Sequence, residues 1–143
     1  MGWGSERNEN PKMILVDSSV WIDYFNGVDS TETNKLDETL GLEEVAIGDL
    51  ILTEVLQGFR NDKDYKTAKE ILTSLNIYEM LGVELALKSA NNFRKLRKQG
   101  GITVRKTADV IIATYSIENK IPLLFSDKDF LPFVKHLRLR SVC

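Results

Sequence analysis

Asp17, Glu54, Asp109 and Asp127 are carboxylates set in apolar sequence. Asp17 follows Met13-Ile14-Leu15-Val16. Glu54 lies inside Leu52-Thr53-Glu54-Val55-Leu56-Gln57-Gly58, Asp109 opens Asp109-Val110-Ile111-Ile112-Ala113, and Asp127 follows Ile121-Pro122-Leu123-Leu124-Phe125-Ser126. Desolvation penalises the charged form of an acid, so such positions are costly unless a cation compensates them. Hard oxygen donors with no histidine or cysteine among them suit Mg²⁺ or Mn²⁺ and argue against zinc. The chemistry implied is phosphoryl transfer on a nucleic acid.

Taken singly, each acid has an ordinary reading. Asp17 suits a turn or helix cap, Asp109 a helix N-terminus, Glu54 a solvated helix face, and Asp127 a turn in Ser126-Asp127-Lys128-Asp129-Phe130. Together they would repel one another strongly in a partly desolvated pocket, and a fold that builds such a quartet must gain from it.

The formal net charge of -2 does not by itself suggest a nucleic-acid partner. Its distribution does, because no Asp or Glu occurs from Leu85 to Ala108, while Lys88, Arg94, Lys95, Arg97, Lys98, Arg105 and Lys106 all fall there. A basic stretch of this kind can grip a phosphate backbone or simply form a solvated helix face. Arg105 and Lys106 are the stronger candidates because they directly precede Asp109; Arg94 and Lys98 are candidates on the helix before them. His136, the one histidine, stands away from every acidic motif and is not assigned to the site. Trp21, Tyr24 and Phe25 share helical spacing and read as core or dimer contact ahead of base-stacking platforms.

The elements that must position these residues alternate. Apolar runs at Met13–Val16, Glu44–Ile47, Ile77–Met80 and Ile121–Phe125 read as strands, the first and last buried on both faces. Helices are expected from Asp17 to Phe25, Thr33 to Glu44 with Leu36, Leu40 and Leu42 inward, Asp49 to Phe59, Asp64 to Leu75, Val83 to Gln99, and Ala108 to Asn119, with Asp49 and Thr107 as caps. The tail from Leu131 to Val142 is expected to hold an edge strand. Alternation of this kind predicts an α/β fold, a three-layer α/β/α sandwich around a central, mostly parallel sheet. Ligands of such sheets bind beyond the carboxyl ends of the strands, where Asp17 and Asp127 would emerge. Asp109 flanks the buried stripe of its helix, and Glu54 has the same relation to Ile51 and Gly58, so the acids can converge.

With 143 residues and 43% hydrophobic content, the chain has the size and apolar content of one domain, taken here as residues 13–143. Residues 1–12 are polar and rich in Gly and Asn, and read as a disordered arm, a cloning remnant or an upstream start. Cys143 is the only cysteine, so no intramolecular disulfide forms and a reducing compartment is expected. No signal-peptide core or membrane-length apolar run is present, and the expected address is the cytoplasm.

The string from Met13 to Tyr24 resembles the opening of PIN-domain nucleases, in particular the VapC toxins of toxin–antitoxin pairs. Thr53–Gly58, Thr107–Ala113 and Leu124–Phe130 resemble the later acidic motifs of that family, in the same order across nearly the whole chain. The resemblance implies a Mg²⁺- or Mn²⁺-dependent endoribonuclease that cleaves RNA by metal-activated water, and a cognate antitoxin. Exposed residues of the helix after Asp17 and of the Thr33 to Glu44 helix offer a face for a homodimer or for the antitoxin. It assigns Asp17, Glu54, Asp109 and Asp127 as the acidic, metal-binding site, with Ser19 orienting Asp17 or a water. Asp127 is preferred over Asp129 because it is closer to the strand end, and Asp129 stays as a second acid. A PIN nuclease acting in RNA maturation or decay without an antitoxin would share every site residue. A receiver-like signalling module would need an early pair of adjacent acids where Ser18-Ser19 stand, and a haloacid-dehalogenase-like phosphatase an acid where Ser19 stands.

Overall fold

The computed structural model describes residues 13–143; the arm assigned to residues 1–12 lies outside the described residues. Strands Met13–Val16 (β1), Glu44–Gly48 (β2), Asn76–Tyr78 (β3) and Leu123–Leu124 (β4) pair in the order β3-β2-β1-β4, all parallel. Ile14 sits opposite Val45 and Leu15 opposite Leu123, so β1 runs through the middle with Leu15 and Val16 fully buried. Burying a side chain of this size contributes roughly 1.5–3 kcal/mol. The chain steps from β1 outward to β3 and then returns to the other side of β1. This reversal opens a crevice at the carboxyl ends of β1 and β4.

Helices make every crossover, giving the expected α/β sandwich. Ser18–Phe25 (α1) and Thr31–Leu40 (α2) join β1 to β2, and Asp49–Gln57 (α3) and Asp62–Thr73 (α4) join β2 to β3. Val83–Gly100 (α5) and Thr107–Asn119 (α6) lead back to β4, after which a short 3₁₀ turn at Lys128–Phe130 runs into Leu131–Leu137 (α7). Local chemistry fixes the ends. Ser30 and Thr33 form a reciprocal capping box on α2, Asn61 accepts from the backbone of Lys63 and Asp64 at the start of α4, and left-handed Gly101 (φ 63°) stops α5.

The core gathers along β1, α1, α3 and α6, with Trp21, Ile51, Ile112, Phe130 and Phe133 fully buried. Trp21 stacks on Phe25 with ring centroids 5.9 Å apart, and Phe25 meets Phe59 edge-on at 5.8 Å. The aromatic face of α1 is therefore core, and Trp21 is not a base-stacking platform. Gly48, where β2 turns into α3, has backbone angles open to any residue, but a Cβ there would collide with the Sδ of Met80. Asp49 adds a tie across the same junction, its carboxylate accepting from the backbone of Leu50 at 2.8 Å and Met80 at 3.1 Å.

Several expectations need correction. Leu42 is 79% exposed, because α2 ends at Leu40 and Gly41 before the predicted stripe reaches it. Asp49 and Thr107 are first-turn residues, and the caps are Gly48 and Lys106. The tail is mostly helix: Pro132 lies in the first turn of α7, where a missing N–H costs little, and Phe133 anchors it. Of the expected edge strand only a parallel bridge between Leu123 and Ser141 forms. Among the described residues no helix is long and apolar enough to cross a membrane.

Candidate active site

The four acids arrive at the β1/β4 crevice on four different elements. Asp17 leaves the end of β1 and caps α1: its Oδ2 accepts from the Ser19 N–H at 3.1 Å and from the Ser19 hydroxyl at 2.7 Å. Glu54 comes from the middle of α3, Asp109 from the first turn of α6, and Asp127 from the loop after β4, where it caps the 3₁₀ turn. A strand end, a helix interior, the first turn of a helix and a loop thus deliver one kind of chemical group.

The acids sense one another. Burial raises the Asp109 carboxyl to about 7 from 3.8, and the charges of Asp17, Asp127 and Glu54 push the same way against the lowering effect of Lys106. Asp17 is raised chiefly by burial, with Asp127 adding to it while bonds from Ser19 and Ser18 oppose. Glu54 is raised by burial, opposed by a hydrogen bond from Ser18, and pushed further by Asp17. Asp129 joins the cluster: Asp109, Asp127 and Asp129 each offer an oxygen within 4.8 Å of the others, and the Asp129 N–H donates to Asp127 Oδ1 at 2.9 Å. Both acids of the last motif therefore belong to the cluster.

Two oxygens bear on whether the cluster suits a cation. Asp17 is 2% exposed and Asp109 4%, yet Asp17 Oδ1 and Asp109 Oδ2 are buried without a hydrogen-bond partner. An orphaned carboxylate oxygen is costly in a protein interior, and both are of the hard, anionic type that Mg²⁺ and Mn²⁺ take. Asp109 also belongs to the group with Asp127 and Asp129 whose oxygens lie within 4.8 Å of one another, a group that does not include Asp17 or Glu54. The residues present fit such an ion.

Hydroxyls buttress the acids, and two of them escaped the sequence reading. The Ser18 hydroxyl donates to Glu54 Oε1 at 3.1 Å across 36 residues of chain, and the Ser126 hydroxyl donates to Ser19 Oγ at 3.3 Å. Ser18 and Ser126 adjoin Asp17 and Asp127 in sequence, which is the only sign of them there.

The basic residues divide. Lys106 is at the site, its Nζ 3.7 Å from Asp127 Oδ2, and Arg105 is exposed beside it. Arg94 instead helps line a mostly apolar cleft of about 490 Å³ between α5 and α6, together with Leu81, Phe93, Thr107, Val110 and Ile111. Arg97 lies over the Phe93 ring at 5.3 Å, Lys98 is exposed in the last turn of α5, and Lys88 is paired with Glu118 at 2.7 Å. His136 sits near the end of α5 beside Gly100.

Residues 14–133 match the family model of the PIN domain. The ribonuclease VapC11 of Mycobacterium tuberculosis is 28% identical over 123 residues, covering 82% of this chain and 89% of that protein. Among solved structures, VapBC2 of Rickettsia felis, bound to a DNA fragment from its promoter, superposes with a TM-score of 0.70 at 16% identity, covering 90% of this chain and 96% of the other. VapC20 of Mycobacterium tuberculosis, a toxin that cleaves the sarcin-ricin loop, gives 0.62 at 16% identity over 82% of this chain and 92% of its own. Strand order, acidic rim and a match over nearly all the described residues agree: the chain belongs to the PIN domain family.

Proposed function

We propose that residues 13–143 form a single nuclease domain, a metal-dependent endoribonuclease acting as the toxin of a toxin–antitoxin pair. The observation that carries this is the pair of buried, unpartnered oxygens on Asp17 and Asp109, which make sense as ligands and as little else. Asp17 and Asp109 hold the ion most directly, and Glu54, Asp127 and Asp129 hold it at the rim or orient water. A bound Mg²⁺ or Mn²⁺ supplies activation of water at neutral pH and neutralises charge building on the scissile phosphate.

The chain's own residues do the rest. Ser19 fixes the Asp17 carboxylate with two bonds to one oxygen, leaving the other turned inward. Ser18 donates a hydrogen bond to Glu54 that lowers its carboxyl pKa against the burial that raises it. Arg105 and Lys106 flank the acids and attract the RNA backbone; Arg94 and Lys98 extend that attraction along α5. The ribonuclease names of the similar mycobacterial proteins support RNA as substrate, and the VapBC complexes among similar structures support a cognate antitoxin. A homodimer and a cytoplasmic address complete the reading.

The test is cleavage of a defined RNA by purified protein with Mn²⁺, with chelator, and with Asp17→Asn. Cutting that survives chelation or the substitution overturns the proposal. Growth arrest on induced expression, relieved by Asp109→Asn, tests the toxin part separately.

A further inference from the structure

Lys106 is placed unlike a residue that only grips a substrate. It is the N-cap residue of α6, three positions before Asp109, and its ammonium lies 3.7 Å from Asp127 Oδ2. Among the described residues it is the one cation ion-paired to the acidic cluster. Its side chain is 61% exposed against 26% for Asp127, so it reaches in from solvent over the mouth of the site while Asp17 and Asp109 lie buried. The carboxylate it holds is also one of three whose oxygens come within 4.8 Å of one another, the spacing of a common ligand set.

Two cations cannot share that carboxylate without repulsion, because charges a few ångströms apart interact appreciably even near a protein surface. The lysine side chain is long, flexible and mostly exposed, and this is its one ion pair among the described residues, so it is the partner free to leave. We propose that Lys106 is a tethered counter-ion of the metal-free site, displaced from Asp127 when a divalent cation binds and then free to meet a phosphate of the RNA. The inference rests on the metal-site reading above and adds to it a competition built into the chain. In metal-free protein Lys106 offsets part of the mutual repulsion of the acids; in metal-loaded protein it opposes the ion.

Calorimetric titration of the full chain with Mn²⁺, without RNA, tests this together with melting in chelator. Lys106→Met keeps the length of the side chain and removes its charge at an exposed position, where folding is not at stake. It is expected to bind Mn²⁺ about three- to tenfold more tightly than the wild type. It should also melt at a lower temperature in chelator, with the deficit closing in saturating Mn²⁺. Lys106→Arg, which keeps the charge, should restore the wild-type melting temperature in chelator. Mn²⁺ affinity that is unchanged or weaker in Lys106→Met, or an unchanged melt in chelator, overturns the proposal. A wild type that takes up no Mn²⁺ instead overturns the metal-site reading itself, and a flat titration of both proteins identifies that case.

Discussion

The acidic rim and helix α5 carry similar numbers of charged side chains and treat them in opposite ways. On α5 the charges are spread along an exposed face, and the ion pairs of Lys88 with Glu84 and Glu118 join side chains that solvent reaches. At the rim, Asp17 and Asp109 are buried, one oxygen of each lacks a partner, and their like charges face one another. Exposed pairs contribute roughly 0–1 kcal/mol and can be exchanged freely. Buried, unpaired carboxylates destabilise the fold that holds them, so their presence reports a function that the α5 charges need not have.

Substitutions can break or sharpen that contrast. The largest effect is expected for Asp17→Asn, which should lower RNA cleavage at least about 100-fold while leaving the chelator-treated protein as stable as before or more so. Equal activity of the variant would place Asp17 with the ordinary caps. Next comes Asp109, whose folded carboxyl is raised to about 7 from 3.8. Its contribution to stability is complete below the unfolded value and is lost as pH rises through the folded one, an effect on the order of a few kcal/mol. Thermal melts in chelator from pH 4 to 8 should therefore fall more steeply in the wild type than in Asp109→Asn; parallel curves would mean that the burial has no energetic consequence.

Smaller effects follow at the edges of the contrast. Ser18→Ala removes the hydroxyl that holds Glu54 and should reduce activity several-fold, in line with a hydrogen bond worth about 1 kcal/mol, with Ser18→Thr recovering most of it. Smallest is Arg105→Ala, expected to weaken RNA binding by a few-fold and to lower the slope of log affinity against log salt by about 0.7, the share of one phosphate contact on a single strand. Lys98→Ala, further along α5, should change that slope less. A larger change at Lys98 than at Arg105 would shift the RNA path toward α5.

Much of this arrangement was legible in the sequence because it depends on local patterns. Met13–Val16 read as a doubly buried strand, and an acid just past such a strand emerges at the ligand edge of the sheet. The helix from Val83 runs into Gly100-Gly101, a pair that marks its end, and Gly101 takes positive φ. Leu42 and the tail were misread because their fate depends on where α2 stops and on how Phe133 docks, both tertiary outcomes. Ser18 and Ser126 were missed for a related reason: nothing local reveals that a hydroxyl meets Glu54 from 36 residues away or reaches Ser19 across the crevice. Within the basic stretch, proximity to Asp109 in sequence singled out Arg105 and Lys106, but nothing local shows that Arg94 lines an apolar cleft.

The junction at Gly48 has a consequence for anyone scanning this chain by saturation mutagenesis. Every side chain there must push the buried side chain of Met80 aside at the point where β2 turns into the helix that carries Glu54, although the position has no functional group of its own. A survival screen would rank Gly48 beside the acids. Only a folding readout, such as soluble yield, would separate a lost spacer from a lost ligand.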